Sequence, residues 1–452
     1  MISGKKRLIP VFIAILLILS LLAACGETKT TTQTQTSTVT SATTSISTTT
    51  QTTTTKTTTT QPDPVRIGVL EDTTGAVAAY GAPYLAGQKV AVQIINDGGG
   101  IKSLGGAKIE LVQGIGDSTV ATATSEVERL INSEKVVAIS GPTTSGETMA
   151  CIPLYERYKI PAVTILTDIT QFQKGYRYIF TDQPTSLSTG TRCGDFVDWL
   201  IKKYATSTSK MAVCTAAPSF SGISDAMVAR LNELGYKNSI VLNESFPLTV
   251  ADQAPLVLKL KAANVDFAIY MGSTQDAILF YKACDAYSYT PWLVASNAAL
   301  AFATRDSLGA LAKTALGRPN VFAVSYNMPT DAYQKVASLK TFADAFQKAN
   351  PGSKYDVAQV AVGAQKMFML AKAIENAASR NPENIAAALR KLDMQAPDPY
   401  IVWADGYPRL QTSESGALAT QACLAVQYSD DLQSLQVIWP ESIATATPRT
   451  SK

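Results

Sequence analysis

The chain contains no histidine in 452 residues. That absence removes Ser-His-Asp and Cys-His catalysis, imidazole metal ligation and histidine acid–base chemistry in one step. Cysteine is scarce too: six are present, with no CxxC or zinc-finger spacing, so neither a disulfide framework nor a metal site is written here. No acid pair and no SxxK stands in a context that supports hydrolysis. Charged residues amount to 17%, with 39 basic and 36 acidic, and without a basic cluster for phosphate contact nucleic acid is not an expected partner. The composition points away from an enzyme and towards a binder, with no catalytic residue, cofactor or metal expected.

Long apolar runs are nearly missing as well. The one exception, Leu8 to Leu22, follows Lys5, Lys6 and Arg7 and has the length of a secretory signal core, short for a membrane span. Residues 1–24 therefore read as a signal peptide. It ends in Leu22-Ala23-Ala24-Cys25, which resembles the bacterial lipobox, in which the cysteine takes a diacylglyceryl thioether; the alternative leaves Cys25 an ordinary thiol. Cleavage before Cys25 removes three cations and no acid, taking the formal charge from +3 to 0. Five cysteines remain, of which Cys193 shares a helical face with Phe196, Val197 and Leu200, and Cys284 lies one turn from Tyr281 and Ala277. Both read as small buried apolar residues, with one disulfide left open.

Residues 25–62 are mostly Thr, Ser and Gln, with almost nothing large and apolar to bury, and read as a disordered tether. About 35 such residues span roughly 30–35 Å. From residue 63 the pattern changes. Short β-branched runs (VRIGVL, KIELVQ, VVAIS) alternate with helix-period segments, and a second series of the same kind runs from Pro184 through KMAVCT, SIVLNESF, DFAIYMG and PWLVAS. Two successive parallel α/β sheets imply two doubly wound, Rossmann-like lobes with a cleft between them.

After VVAI comes SGPTTSGET, residues 140–148, which has the glycine spacing of a phosphate-binding loop but Glu147 where that pattern demands lysine. A helix that starts in this loop offers unpaired backbone N–H groups and partial positive charge, enough for one anion without any cation.

In order along the chain, IGVLEDTTGAVAAYGAPYLAGQKVAVQIINDGGGI, the strand after Gly105-Gly106, SGPTTSGET, YERYKIPAV and LVLKLKAANVDFAIYMG resemble the type I periplasmic binding proteins, in particular the branched-chain amino acid (Leu/Ile/Val) receptors of ABC transporters. The likeness covers residues 65–445. It implies two lobes joined by a three-segment hinge: 63–183 and 326–408 in the first lobe, 184–325 and 409–452 in the second, closing on a ligand. By the same resemblance the first lobe supplies Tyr80 as an aromatic cover, Thr144, Ser145 and Gly146 for a carboxylate, and Thr167 with Asp168 for an amino group. The second supplies Phe220, Ser273, Thr274, Ser296 and Asn297. Simpler roles stay open: Thr144 and Ser145 as helix caps, Asp168 as a turn cap, Tyr80 as a packing staple.

One departure concerns the ligand. Such receptors commonly carry an acid after the last of these strands to neutralise an ammonium, and Ser296-Asn297 stands there instead. Either Asp168 takes that role or the ligand is an amide, urea or aromatic carboxylate. The resemblance implies a monomeric, extracytoplasmic, lipid-anchored receptor delivering an amino acid-like solute to an ABC permease; a ligand sensor of the same fold is the alternative.

Overall fold

The computed structural model describes residues 62–204, 210–248, 250–325, 335–402, 409–419 and 423–451. The expected signal peptide, the lipidation site Cys25 and the tether as far as Gln61 lie outside the described residues. The chain from Pro62 onward forms one compact unit.

Its first half begins with β1 (Val65–Val69), α1 (Ala78–Asp97), β2 (Ile109–Gln113), α2 (Val120–Asn132) and β3 (Ala138–Ser140). It continues through α3 (Ser145–Tyr158), β4 (Ala162–Thr164), α4 (Ile169–Phe172) and β5 (Ile179–Thr181). The five strands pair in parallel in the order β2-β1-β3-β4-β5. Strands β3, β4 and β5 are buried along their whole length, because helices cover both faces of a parallel sheet.

The second lobe begins with α5 (Ser186–Tyr204), β6 (Met211–Ala217), α6 (Ser221–Glu233), β7 (Ile240–Pro247) and α7 (Ala254–Ala262). Then come β8 (Phe267–Met271), α8 (Thr274–Ala286), β9 (Trp292–Ser296), α9 (Phe302–Leu308), α10 (Ala312–Ala315) and β10 (Val321–Ser325). The doubly wound α/β architecture expected from the alternating pattern is present in both lobes.

The chain then returns to the first lobe with α11 (Ala337–Ala349), α12 (Val357–Ala377) and α13 (Pro382–Arg390). Helix α12 is apolar nearly all round and packs on α1, β3 and β4. The α1–α12 crossing is close because each helix offers a glycine: a Cβ on Gly87 would stand 1.9 Å from the Val360 oxygen, and one on Gly363 2.0 Å from the Tyr84 oxygen.

Here one expected boundary needs correction. The resemblance places residues from 409 onward in the second lobe, but β12 (Arg409–Gln411) pairs antiparallel with β11 (Asp393–Gln395), and Gly416 accepts a hydrogen bond from Thr181 at the end of β5. The apolar side chains Leu410, Ala417 and Leu418 are buried there, and Thr412 donates to the Leu389 carbonyl at the end of α13, which holds 409–419 in the first lobe. From Cys423 onward the described chain is in the second lobe. There β13 (Leu424–Tyr428) and β14 (Leu435–Trp439) add an antiparallel edge, giving the order β14-β13-β10-β9-β8-β6-β7.

Cys151, Cys193, Cys214, Cys284 and Cys423 are buried, and no disulfide forms among the described residues. Among the described residues, no helix is long and apolar enough to cross a membrane.

Candidate functional site

In a parallel sheet, the loops at the carboxyl ends of adjacent strands lie side by side, and a ligand crevice forms there. Strands β1, β3 and β4 are neighbours, so the segments after them bring Tyr80, Thr144 to Gly146, and Thr167 with Asp168 to one edge of the first lobe. In the second lobe β6, β8 and β9 are neighbours, and the segments after them carry Phe220, Ser273 with Thr274, and Ser296 with Asn297.

The side chains divide by what they already bond. Thr144 is the N-cap of α3, accepting from the Glu147 amide at 3.2 Å and donating to the Glu147 carboxyl at 2.6 Å. Ser145, the first residue of that helix, is half-buried and its hydroxyl has no bond among the described residues. Gly146 is exposed, and a Cβ built there would meet nothing nearer than Thr144 Oγ1 at 3.9 Å, so nothing in the fold itself requires a bare backbone at this point. Tyr80, in the first turn of α1, is 53% exposed.

Asp168 is taken up by its own turn. It caps α4, receiving the Thr170 amide at 2.9 Å, the Thr170 hydroxyl at 2.7 Å and the Gln171 amide at 3.1 Å. Partial burial works to raise its pKa, but these hydrogen bonds outweigh burial and hold the carboxyl below the usual range. Thr167 is half-buried, and its carbonyl accepts from the Ser186 amide at 3.0 Å, tying the end of the first lobe to the start of α5.

Two expected ligand hydroxyls of the second lobe are engaged in the same way. Ser273 forms a capping box with Asp276 at the start of α8, and Ser296, 4% exposed, donates to the Gly272 carbonyl at 2.7 Å, joining the ends of β8 and β9. Phe220 packs half-buried on the second-lobe core. Thr274 and Asn297 are half-buried, with no side-chain hydrogen bond among the described residues. Of the candidate polar side chains, those with no hydrogen bond of their own among the described residues are Tyr80, Ser145 and Thr167 in one lobe and Thr274 and Asn297 in the other.

The sequence profile described as periplasmic binding protein matches residues 64–429. The chain belongs to that family. Leu/Ile/Val-binding protein homolog 8 of Brucella abortus is 25% identical over 400 residues, spanning 86% of this chain and 93% of the relative. The substrate-binding protein LivJ of Streptococcus pneumoniae, solved with isoleucine, has a TM-score of 0.61 at 20% identity and covers 84% of this chain and 100% of its own. A solute-binding protein of R. palustris, solved with 4-hydroxybenzoate, has a TM-score of 0.63 at 16% identity, covering 86% and 98%. At such identities the two structures speak for the fold, and it is the two-lobed α/β fold of type I periplasmic binding proteins.

Behind the loop, this periplasmic binding protein carries a buried polar network that the sequence reading missed. Thr143 accepts from the Asp72 amide at 2.7 Å and donates to Glu71 at 2.9 Å; Gln88 donates to Glu71 at 2.6 Å and to Ser140 at 2.8 Å. Lys366, from α12, pairs with the same Glu71 carboxylate, both side chains fully buried. Asp182, also fully buried, has no hydrogen-bond partner on either oxygen among the described residues, and burial pushes its carboxyl up to about 7 against the pull of Lys366. The consecutive acids Glu71-Asp72 at the end of β1 were the available signal, since two carboxylates after a buried strand need partners.

Glu147 is only 3% exposed and turned inward. Burial, with the neighbouring Asp72 carboxylate, pushes it up to about 7, and a proton on Glu147 can satisfy the Asp72 oxygen that otherwise lacks a partner. The acid in the lysine slot is thus set behind the loop, partly neutral at physiological pH.

Proposed function

We propose that the protein is the extracytoplasmic solute receptor of an ABC importer, closing its lobes on a small amino acid-like solute and passing it to a membrane permease. In this reading Cys25 carries the lipid anchor and residues 25–62 tether the head. The observation that supports it best is the start of α3: a free Ser145 hydroxyl, an exposed Gly146 and unpaired helix amides, with no cation needed to hold a carboxylate. No step changes the ligand chemically.

A second reading of the ligand is favoured by the engaged side chains. Asp168 is held by its own turn, and Ser296 by Gly272, so neither is at hand for an ammonium, whose burial without a counter-charge costs several kcal/mol. A carboxylate without an amino group, of the kind held by the R. palustris relative, avoids that cost.

Thermal shift of the purified protein against isoleucine, leucine, simple amides and 4-hydroxybenzoate tests both readings, because a ligand of the native state raises Tm by mass action. A rise with isoleucine supports the amino acid reading; a rise with 4-hydroxybenzoate alone supports the second. No rise across the panel counts against both.

A further inference from the structure

We propose that the second lobe carries a separate site for a small oxyanion, a carboxylate or phosphate, built around Arg318 and away from the cleft. A cavity of about 410 Å³ lies there, lined by the last turns of α8, residues 288–290 before β9, and the segment from Leu311 to Arg318. The cleft residues Ser296 and Asn297 follow the carboxyl end of β9, whereas this cavity adjoins its amino end, so the two regions lie at opposite ends of the strand.

Arg318 has an unusual balance of partners. Its Nη1 donates to the Pro291 carbonyl at 2.7 Å, and no carboxylate pairs with it among the described residues. The groups that bear on its charge are Tyr281, Cys284 and Tyr289, and burial pushes all three up, the Cys284 thiol to about 12, so each is neutral at physiological pH. Asp285, the acid on the same wall, is exposed and is not among them. The last turn of α8 adds only partial negative charge.

A half-buried guanidinium is left without a carboxylate partner among the described residues, a state that burial itself opposes. Arginine presents five N–H donors in a planar fork, a geometry matched by two oxygens of a carboxylate or phosphate. Tyr281, 3% exposed and lining the same cavity, has a hydroxyl with no partner among the described residues, and Thr290 adds a hydroxyl at the wall, whereas Thr314 already donates to the Leu311 carbonyl at 3.1 Å. The cavity therefore combines an uncompensated cation, spare donors and room for a small anion.

Isothermal titration at constant ionic strength tests the site, with inorganic phosphate in one arm and acetate in the other, on the wild type, Arg318→Gln and Ser145→Ala. Saturable binding is expected in the wild type and in Ser145→Ala, about tenfold weaker or more in Arg318→Gln, and the arm that responds names the anion. Three results overturn the proposal: no saturable uptake of either anion by the wild type, unchanged uptake in Arg318→Gln, or uptake weakened about fivefold or more in Ser145→Ala, which would place the anion in the cleft. Should Arg318→Gln fail to fold, Tyr281→Phe asks the same question: about three- to tenfold weaker binding is expected, and unchanged affinity overturns the site.

Discussion

The Thr143 hydroxyl donates to Glu71 at 2.9 Å while accepting from the Asp72 amide at 2.7 Å, so one side chain fastens the candidate ligand loop to the end of β1. Glu71 in turn depends on Lys366 for its charge balance. Removing one member of a buried pair leaves the other uncompensated and costs about 3–5 kcal/mol. Lys366→Met should therefore lower urea stability by that amount, and Glu71→Gln placed on top should recover part of it. If Lys366→Met unfolds at the wild-type urea concentration, the pair contributes nothing.

Asp182 makes stability depend on pH in a direction opposite to that of a paired carboxylate. Burial raises its folded pKa to about 7 from the ordinary aspartate value of 3.8, so between those limits the folded state holds more protons than the unfolded chain. Its stabilising contribution is present below the lower limit and is lost as pH rises through 7. Asp182→Asn removes this dependence: its Tm should come nearest to wild type at about pH 4 and exceed it increasingly up to pH 8, by about 1–3 kcal/mol in stability terms. A wild-type advantage at pH 8 would show that the ionised carboxylate has a partner after all.

Both lobes and most of their strands could be read from the sequence because periodicity reports burial directly. VRIGVL, KMAVCT and DFAIYMG alternate with helical segments, and each is a strand within two residues of its expected ends. The last lobe boundary was not legible, since RLQTSESGAL has no strong period, and what keeps it in the first lobe is pairing with β11, the Thr412 bond to Leu389 and the Thr181 bond to Gly416, none of which a local pattern reports. For the candidate site residues, position after a strand was legible and bonding was not. Family position identifies Ser296 and Ser273 as hydroxyls at strand ends, but only the folded chain shows those hydroxyls bonded to Gly272 and Asp276. Glu71, Asp182 and Lys366 are 295 residues apart at the extremes, and nothing local connects them.

Gly146 separates ligand use from helix architecture. Within the first turn of α3, alanine has the better helix propensity by about 0.5–1 kcal/mol, and no neighbouring atom obstructs its methyl group. Gly146→Ala should raise Tm slightly while weakening the ligand about tenfold or more, because the methyl occupies the approach to the helix amides. Ser145→Ala should leave unliganded stability alone and weaken binding by about one hydrogen bond, roughly five- to tenfold. Unchanged affinity in both variants would move the carboxylate away from α3.

Asp168 offers the sharpest test of ligand charge. As a cap it can be replaced by asparagine, which accepts the Thr170 amide equally well, whereas alanine cannot and should cost about 0.5–2 kcal/mol. If capping is its whole role, Asp168→Asn keeps both stability and affinity, within about twofold, for isoleucine and 4-hydroxybenzoate alike. If the carboxylate instead neutralises an ammonium in the closed state, the same substitution must weaken isoleucine by tenfold or more and spare 4-hydroxybenzoate, since only one of them carries the cation. The three hydrogen bonds that Asp168 already accepts favour the first outcome, because recruiting it to an ammonium would mean giving some of them up. Titrating both ligands into Asp168→Asn decides between the two.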